Sequence, residues 1–225
     1  KGGKVIWLID PMQVTMDSLA KTGNTMALAR DLNIDDMLFR YGVRVNYDLA
    51  QDMMCSMIPV VTGFLGNQPK QELKPWYFFP VMTPVSTHPI VNNLNAIKGE
   101  FTSSIDLVDA PGTKQTVLLS TSQYSKLSSA PVRVSLGIME FKPDPKMFPV
   151  SNIPVAVLLE GSFTSAFKNR ILSQEMLNSK ELGYRDSSVN NQMIVISDGD
   201  IIRNDVSKGN PMPLVDRKGR FVAQV

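Results

Sequence analysis

One cysteine and one histidine stand in a chain of 225 residues, and each scarcity removes chemistry. With Cys55 alone there is no intrachain disulfide and no Cys-rich zinc site. With His88 alone, every Ser-His-Asp or histidine-based metal mechanism has to pass through one position. Long apolar runs are missing as well. Val155-Ala156-Val157-Leu158-Leu159 falls far short of the ~20 residues that carry a helix across a bilayer. Net charge is only +2, with 23 basic and 21 acidic side chains scattered along the chain. A nucleic-acid surface needs a clustered basic stripe, so no nucleic-acid partner is expected.

What remains is an ordinary globular composition, 43% hydrophobic and 20% charged. The length fits one large domain or two small ones. A single domain over residues 1–225 is the leading division, with a proline-bearing, charged tail over 206–225. The opening Lys1-Gly2-Gly3-Lys4 reads like the end of a helix-to-strand connection with glycine at the helix C-cap. The expectation is a fragment of a longer protein, with anchors or export signals outside it.

Two short apolar runs lead into acidic turns. Val5-Ile6-Trp7-Leu8-Ile9 stops at Asp10-Pro11, and Met193-Ile194-Val195-Ile196 stops at Ser197-Asp198-Gly199-Asp200. Such runs carry no alternation, so both faces are expected to be buried, as in inner strands of a parallel or mixed sheet. Thr116–Thr121 and Val155–Glu160 read the same way, and the four are expected side by side. Val43–Tyr47 alternates strictly, and Phe101–Val108 alternates with one wet face. Met57–Thr62 and Trp76–Met82 are two further strands, separated by a surface loop from Gly63 to Pro75. Asp31–Gly42 has acids in its first turn and a terminal glycine, which predicts a helix. His88–Gly99 predicts a second, with Pro89 in its first turn, and Ser165–Leu182 is partly helical. Pro11–Asn24 reads as loop. Residues 122–154, punctuated by Pro131, Pro143, Pro145, Pro149 and Pro154, read as an irregular excursion on the sheet's rim. The fold class expected is therefore mixed α/β.

Loops at the carboxyl ends of strands are where α/β proteins place ligands. Asp198, Asp200, Asn204 and Asp205 form an oxygen-rich set after the last strand, and Asp10 can face them across neighbouring strand ends. The functional reading is a site for a hard cation or a polar ligand. The structural reading is a polar turn with aspartates capping nearby amides. Spacing matches no EF-hand loop, and the structural reading is preferred. His88 follows Ser86 and Thr87, yet no Gly-x-Ser-x-Gly elbow exists, and helix capping is the better role. Cys55 lacks a strand–helix elbow and reads as a packing residue. Met53, Met54 and Met57 lack the spacing of a thioether copper site. No motif calls for a cofactor, a metal or a catalytic residue.

Several segments together resemble the gliding-motility ABC-transporter auxiliary family, the GldG-type proteins. They are Lys1–Pro11, Leu32–Val45, Phe79-Pro80, His88-Pro89-Ile90, Thr116–Ser122, Pro154–Phe163 and Ile194–Asp200, in that order. The resemblance implies a largely parallel sheet with flanking helices, of Rossmann or flavodoxin-like type and similar to class I glutamine amidotransferases. It implies a non-enzymatic, extracytoplasmic accessory domain on the periplasmic face of the inner membrane. Its partners would be the permease and ATPase subunits of an ABC transporter, with membrane attachment through segments outside this chain. A degenerate α/β hydrolase or amidotransferase-like enzyme, or a periplasmic solute-binding module, are the alternatives.

Overall fold

A computed structural model describes residues 2–203, 206–207 and 209–211. In chain order its elements are β1 (Val5–Leu8), β2 (Met12–Gln13), α1 (Met16–Thr22), β3 (Asn24–Ala29), α2 (Asp35–Tyr41) and β4 (Val43–Val45). There follow β5 (Asp48–Asp52), β6 (Cys55–Leu65), β7 (Gln68–Pro84), β8 (Ile97–Lys98), β9 (Ile105–Leu107) and β10 (Thr113–Ser120). Then come β11 (Ser125–Ser129), β12 (Val132–Ser135), β13 (Pro154–Gly161), α3 (Gln174–Asn178), β14 (Asn191–Ile196), β15 (Val206–Ser207) and β16 (Asn210–Pro211).

The α/β expectation is overturned. Strand makes up 44% of the structure and helix 15%, and among the described residues no helical layer flanks the sheet. The main sheet runs β1-β14-β13-β10-β7-β6, with β8 attached to β7. Only β1 and β14 are parallel, with Ile6 opposite Ile194. The pairs β14–β13, β13–β10, β10–β7 and β7–β6 are all antiparallel. A parallel Rossmann or flavodoxin-like sheet needs a helical crossover between successive strands. Here the link from β13 to β14 contains only the five-residue α3.

The four apolar runs do lie side by side, as β1, β14, β13 and β10. Their two-sided burial holds for the middle of the sheet. Val157 and Leu159 of β13, with Met193 and Val195 of β14, pack on one face against Leu38, Val43, Val45 and Ile105. Val155, Ala156 and Leu158 face the other way, toward Met82, Val91, Leu118, Ile194 and Ile196. An inner strand that is covered on both sides reads as a continuous apolar run whichever way its neighbours point. β1 departs from that pattern, because it is the sheet's edge and leaves Ile6 62% exposed.

Much of Pro11–Asn24, expected as loop, and the first half of 122–154, expected as rim, instead join β3 in building a further core. The three-stranded sheet β12-β3-β2 and helix α1 cover Leu19, Ala27, Val132 and Val134, which pack with Leu49, Ile58, Trp76, Phe78 and Phe101. α1 is capped by Thr15, whose side chain accepts the Ser18 amide. Between 122 and 154, β11 pairs with β5 and β12 pairs with β3. Helix α2 forms where its acidic first turn predicts, and Gly42 ends it at φ 109°. The His88–Gly99 helix does not form. Its place is taken by a turn in which the Val91 and Asn92 amides donate to the His88 carbonyl.

The Gly63–Pro75 loop is likewise absent. β6 and β7 run straight through it as one long hairpin, closed by Gly66 at φ 63° and Asn67. A glycine at positive φ in the first position of a two-residue turn matches the twist of the strands it joins.

Candidate functional site at the strand ends

Because β1 and β14 are parallel neighbours, Asp10 and Asp198 leave the sheet at the same end. Asp198 is fully buried. Its Oδ2 accepts the Glu100 amide at 2.7 Å and the Thr102 hydroxyl at 3.0 Å, and its Oδ1 accepts the Asp200 amide at 2.9 Å. Asp10 Oδ1 accepts the Gly199 amide at 2.7 Å. Burial pushes the Asp198 carboxyl up to about 7, and the charge of Asp10 pushes the same way. Asp200, half-buried, is also raised by burial and by Asp10, against the pull of Arg203. Thus the structure brings Asp10, Asp198 and Asp200 together. Asn204 and Asp205 lie outside the described residues.

Cations interleave with these acids. Glu100, its side chain only 13% exposed, pairs with Lys98 on one side and with Arg203 at 2.6 Å on the other. Arg203 also reaches Asp200 at 3.0 Å, and the Lys98 ammonium sits 4.9 Å from the Phe79 ring centroid. Among the described residues, no group of three or more His, Cys, Asp or Glu is placed to hold a metal ion. The carboxylate oxygens of Asp198 are directed at amides and a hydroxyl, which is the geometry of a clasp.

What the clasp grips is the segment from Gly99 to Ser104. Ser103 and Ser197 are cross-linked, with the Ser103 amide donating to the Ser197 carbonyl at 3.0 Å and the Ser197 hydroxyl to the Ser103 carbonyl at 2.5 Å. On its other side the segment meets β5. Asp48 accepts the Ser104 amide at 2.8 Å and the Ser104 hydroxyl at 2.7 Å, and the Ala50 amide donates to the Thr102 carbonyl at 2.8 Å. Phe101, at φ 55°, stacks edge-on against Phe79 with centroids 5.2 Å apart. The one wet face expected over Phe101–Val108 is therefore absent from its first half. Thr102, Ser103 and Ser104 are all buried, and only Ile105–Leu107 pair as a strand.

A second buried aspartate was not legible in the sequence. Asp52, fully buried, accepts the Met54 amide at 2.7 Å, the Ser122 amide and hydroxyl at 2.6 Å each, and the Ser125 hydroxyl at 3.0 Å. Asp48 stays buried beside it on β5, its carboxyl raised by burial against the Ser104 hydrogen bonds. Asp48, Asp52 and Asp198 thus repeat one device, a buried carboxylate tying hydroxyl-rich loops to strand ends.

His88 and Cys55 fall outside this cluster. His88 Nδ1 accepts the Ile90 amide at 3.3 Å, and the Ser86 hydroxyl accepts the His88 amide instead of facing the imidazole. His88 caps its turn. Burial drives the Cys55 thiol up to about 11, away from the thiolate that a nucleophile needs.

A family model described as ABC-type uncharacterized transport system matches residues 1–221, nearly the whole chain. The chain belongs to this family. No curated protein and no solved structure matches it. The ABC-type transport-system family thus supplies the auxiliary transport role that the resemblance implied, and among the described residues no helix is long and apolar enough to cross a membrane.

Proposed function

We propose that this chain is a non-catalytic accessory domain of an ABC transport complex, working on the extracytoplasmic, periplasmic side beside the permease and ATPase subunits. The observation that carries this reading is the family match across residues 1–221. The strand-end cluster supports it, since Asp198 spends Oδ2 on holding Glu100 and Thr102 in place and Oδ1 on its own turn at Asp200. Membrane attachment through segments outside this chain, and a complex of gliding-motility type, are the finer parts of the proposal and rest on the resemblance of the strand-end and helix segments.

Neither alternative gains a comparable observation. The enzyme reading needs His88 or Cys55 as a reactive group, and their surroundings give a capped turn and a strongly raised thiol. The solute-binding reading needs a pocket of roughly 300 Å³ or more. The hollow beside Tyr77 and Phe148 has about 60 Å³, and the larger polar one lined by Lys4, Glu160, Asn191 and Gln192 about 260 Å³.

Co-purification tests the proposal. The full-length protein, tagged and extracted in mild detergent, is expected to bring down an ABC permease and its ATPase. Recovery without either subunit, under conditions that preserve the permease–ATPase pair, overturns it.

A further inference from the structure

The geometry points to the β6–β7 hairpin as an arm that docks on a lipid surface through an uncharged apolar tip. Beyond its base the hairpin has no third strand among the described residues, and its residues from 61 to 73 are exposed apart from a half-buried Gly63. Its inner face begins with Ile58 and Val60, which pack on the core. On its outer face lie Met57, Pro59, Val61 and Phe64 of β6, beside Pro69, Gln71 and Leu73 of β7, so that the face is apolar but for one amide. Met57, Val61, Phe64 and Leu73 are 58, 51, 74 and 69% exposed.

Three features select lipid as the occupant. The outer face, ~25 Å long and ~10 Å wide from strand geometry, offers ~250 Å², well below the ~800 Å² per partner of a stable protein interface. Apolar side chains occupy both faces at the tip, where Phe64 is joined by Leu65, 81% exposed. A protein partner covers one face, whereas a bilayer interface surrounds the tip. Charge is also distributed accordingly. No Asp, Glu, Lys or Arg occurs from Met53 to Pro69, and behind the tip come Lys70, Glu72 and Lys74, with a net charge of +1 from two lysines and one glutamate. Lysines at that depth can reach headgroups while the tip sits among acyl chains.

The edges of the arm fit the same purpose. Pro59, Pro69 and Pro75 have no N–H, which removes donors that would otherwise lose water in the interface and blocks pairing with another strand.

This inference rests on the reading of the domain as one that works beside a membrane. The test is flotation of the purified chain with vesicles of phosphatidylcholine alone and of phosphatidylcholine mixed with phosphatidylglycerol, without any transporter subunit. Binding to both is expected, stronger with the anionic mixture. The double variant F64D/L65D, altered only at exposed positions, is expected to lose at least ~10-fold in bound fraction with an unchanged melting temperature. Absence of binding to either vesicle, or equal binding by the variant, overturns the proposal. So does a dimer in solution that F64D/L65D dissolves while vesicle binding is missing. Lost flotation with co-purification intact refutes the arm alone, and the converse refutes the accessory reading alone.

Discussion

Asp10 Oδ1 accepts the Gly199 amide at 2.7 Å across 189 positions of chain, and the two strands that carry them are parallel neighbours. Nothing larger than glycine fits there. A Cβ on residue 199 would lie 2.4 Å from Asp10 Oδ2 and 2.8 Å from its Cγ. Gly199 has φ −79°, so backbone strain plays no part and the conflict is steric. Gly199→Ala is expected to cost about 1–3 kcal/mol, the range for forcing an extra methyl into a packed site. Asp10→Ala in the same chain is expected to recover part of that loss. Urea melts of the two single variants and the double variant measure the coupling.

Asp198 gives the fold a pH dependence of definite sign. Its folded-state carboxyl titrates near 7, above its ordinary value of 3.8, because it is buried. The folded state therefore holds a proton that the unfolded chain has released between those values. Its stabilising contribution is complete at acid pH and is lost as pH rises through about 7, by about 1.4 kcal/mol per pH unit inside the window. Asp198→Asn removes this titration while keeping one carbonyl oxygen. The stability difference between wild type and Asp198→Asn is expected to shrink as pH rises from 4 to 8 and then to level off. Thermal melts across that range check it, and a difference that grows with pH refutes the assignment.

How far the sequence shows this arrangement depends on what each signal reports. The runs Val155–Leu159 and Met193–Ile196 report burial on two faces, and they have it. They say nothing of strand direction, which is set by connections, and so the parallel reading failed. The hairpin had its own signal in Leu65-Gly66-Asn67-Gln68, a glycine-led two-residue turn. It was hidden by Pro59, Pro69 and Pro75, which suit the edges of an arm as well as they suit a loop. At the site, Asp10 and Asp198 were readable because each stands at the end of an apolar run, Asp10 directly after Ile9 and Asp198 one serine beyond Ile196. Asp48 and Asp52 were not, since their partners Ser104, Ser122 and Ser125 are brought to them only by the fold.

Cys55 offers a check on the non-catalytic reading that needs no known substrate. Burial holds its thiol near 11. At pH 8 the native protein is expected to react with a disulfide reagent at least ~10-fold more slowly than the same chain in denaturant, because the thiolate fraction falls tenfold per unit of pKa. Cys55→Ser is expected to leave the melting temperature within a few degrees of wild type. Rapid native-state modification, comparable to that of a free thiol, would place Cys55 among reactive cysteines and reopen the enzyme alternative.

Asp52 should be the most sensitive of the polar positions. Its two oxygens take four hydrogen bonds from Met54, Ser122 and Ser125, with no exposure to water. These bonds join the end of β5 to the start of β11, where the Ser125 hydroxyl oxygen also lies 2.8 Å from the Thr121 hydroxyl. Truncation leaves several buried donors unpaired, each costing about 1–3 kcal/mol where water cannot enter. Asp52→Ala is therefore expected to lose at least ~3 kcal/mol, seen as a large drop in the urea midpoint at unchanged slope. Asp31→Ala is the control. Asp31 is exposed and holds only the Asn33 amide, and its loss is expected to cost under ~1 kcal/mol. Equal effects at the two positions would show that water replaces the Asp52 network. In that case the buried carboxylates do not clasp the loops to the sheet.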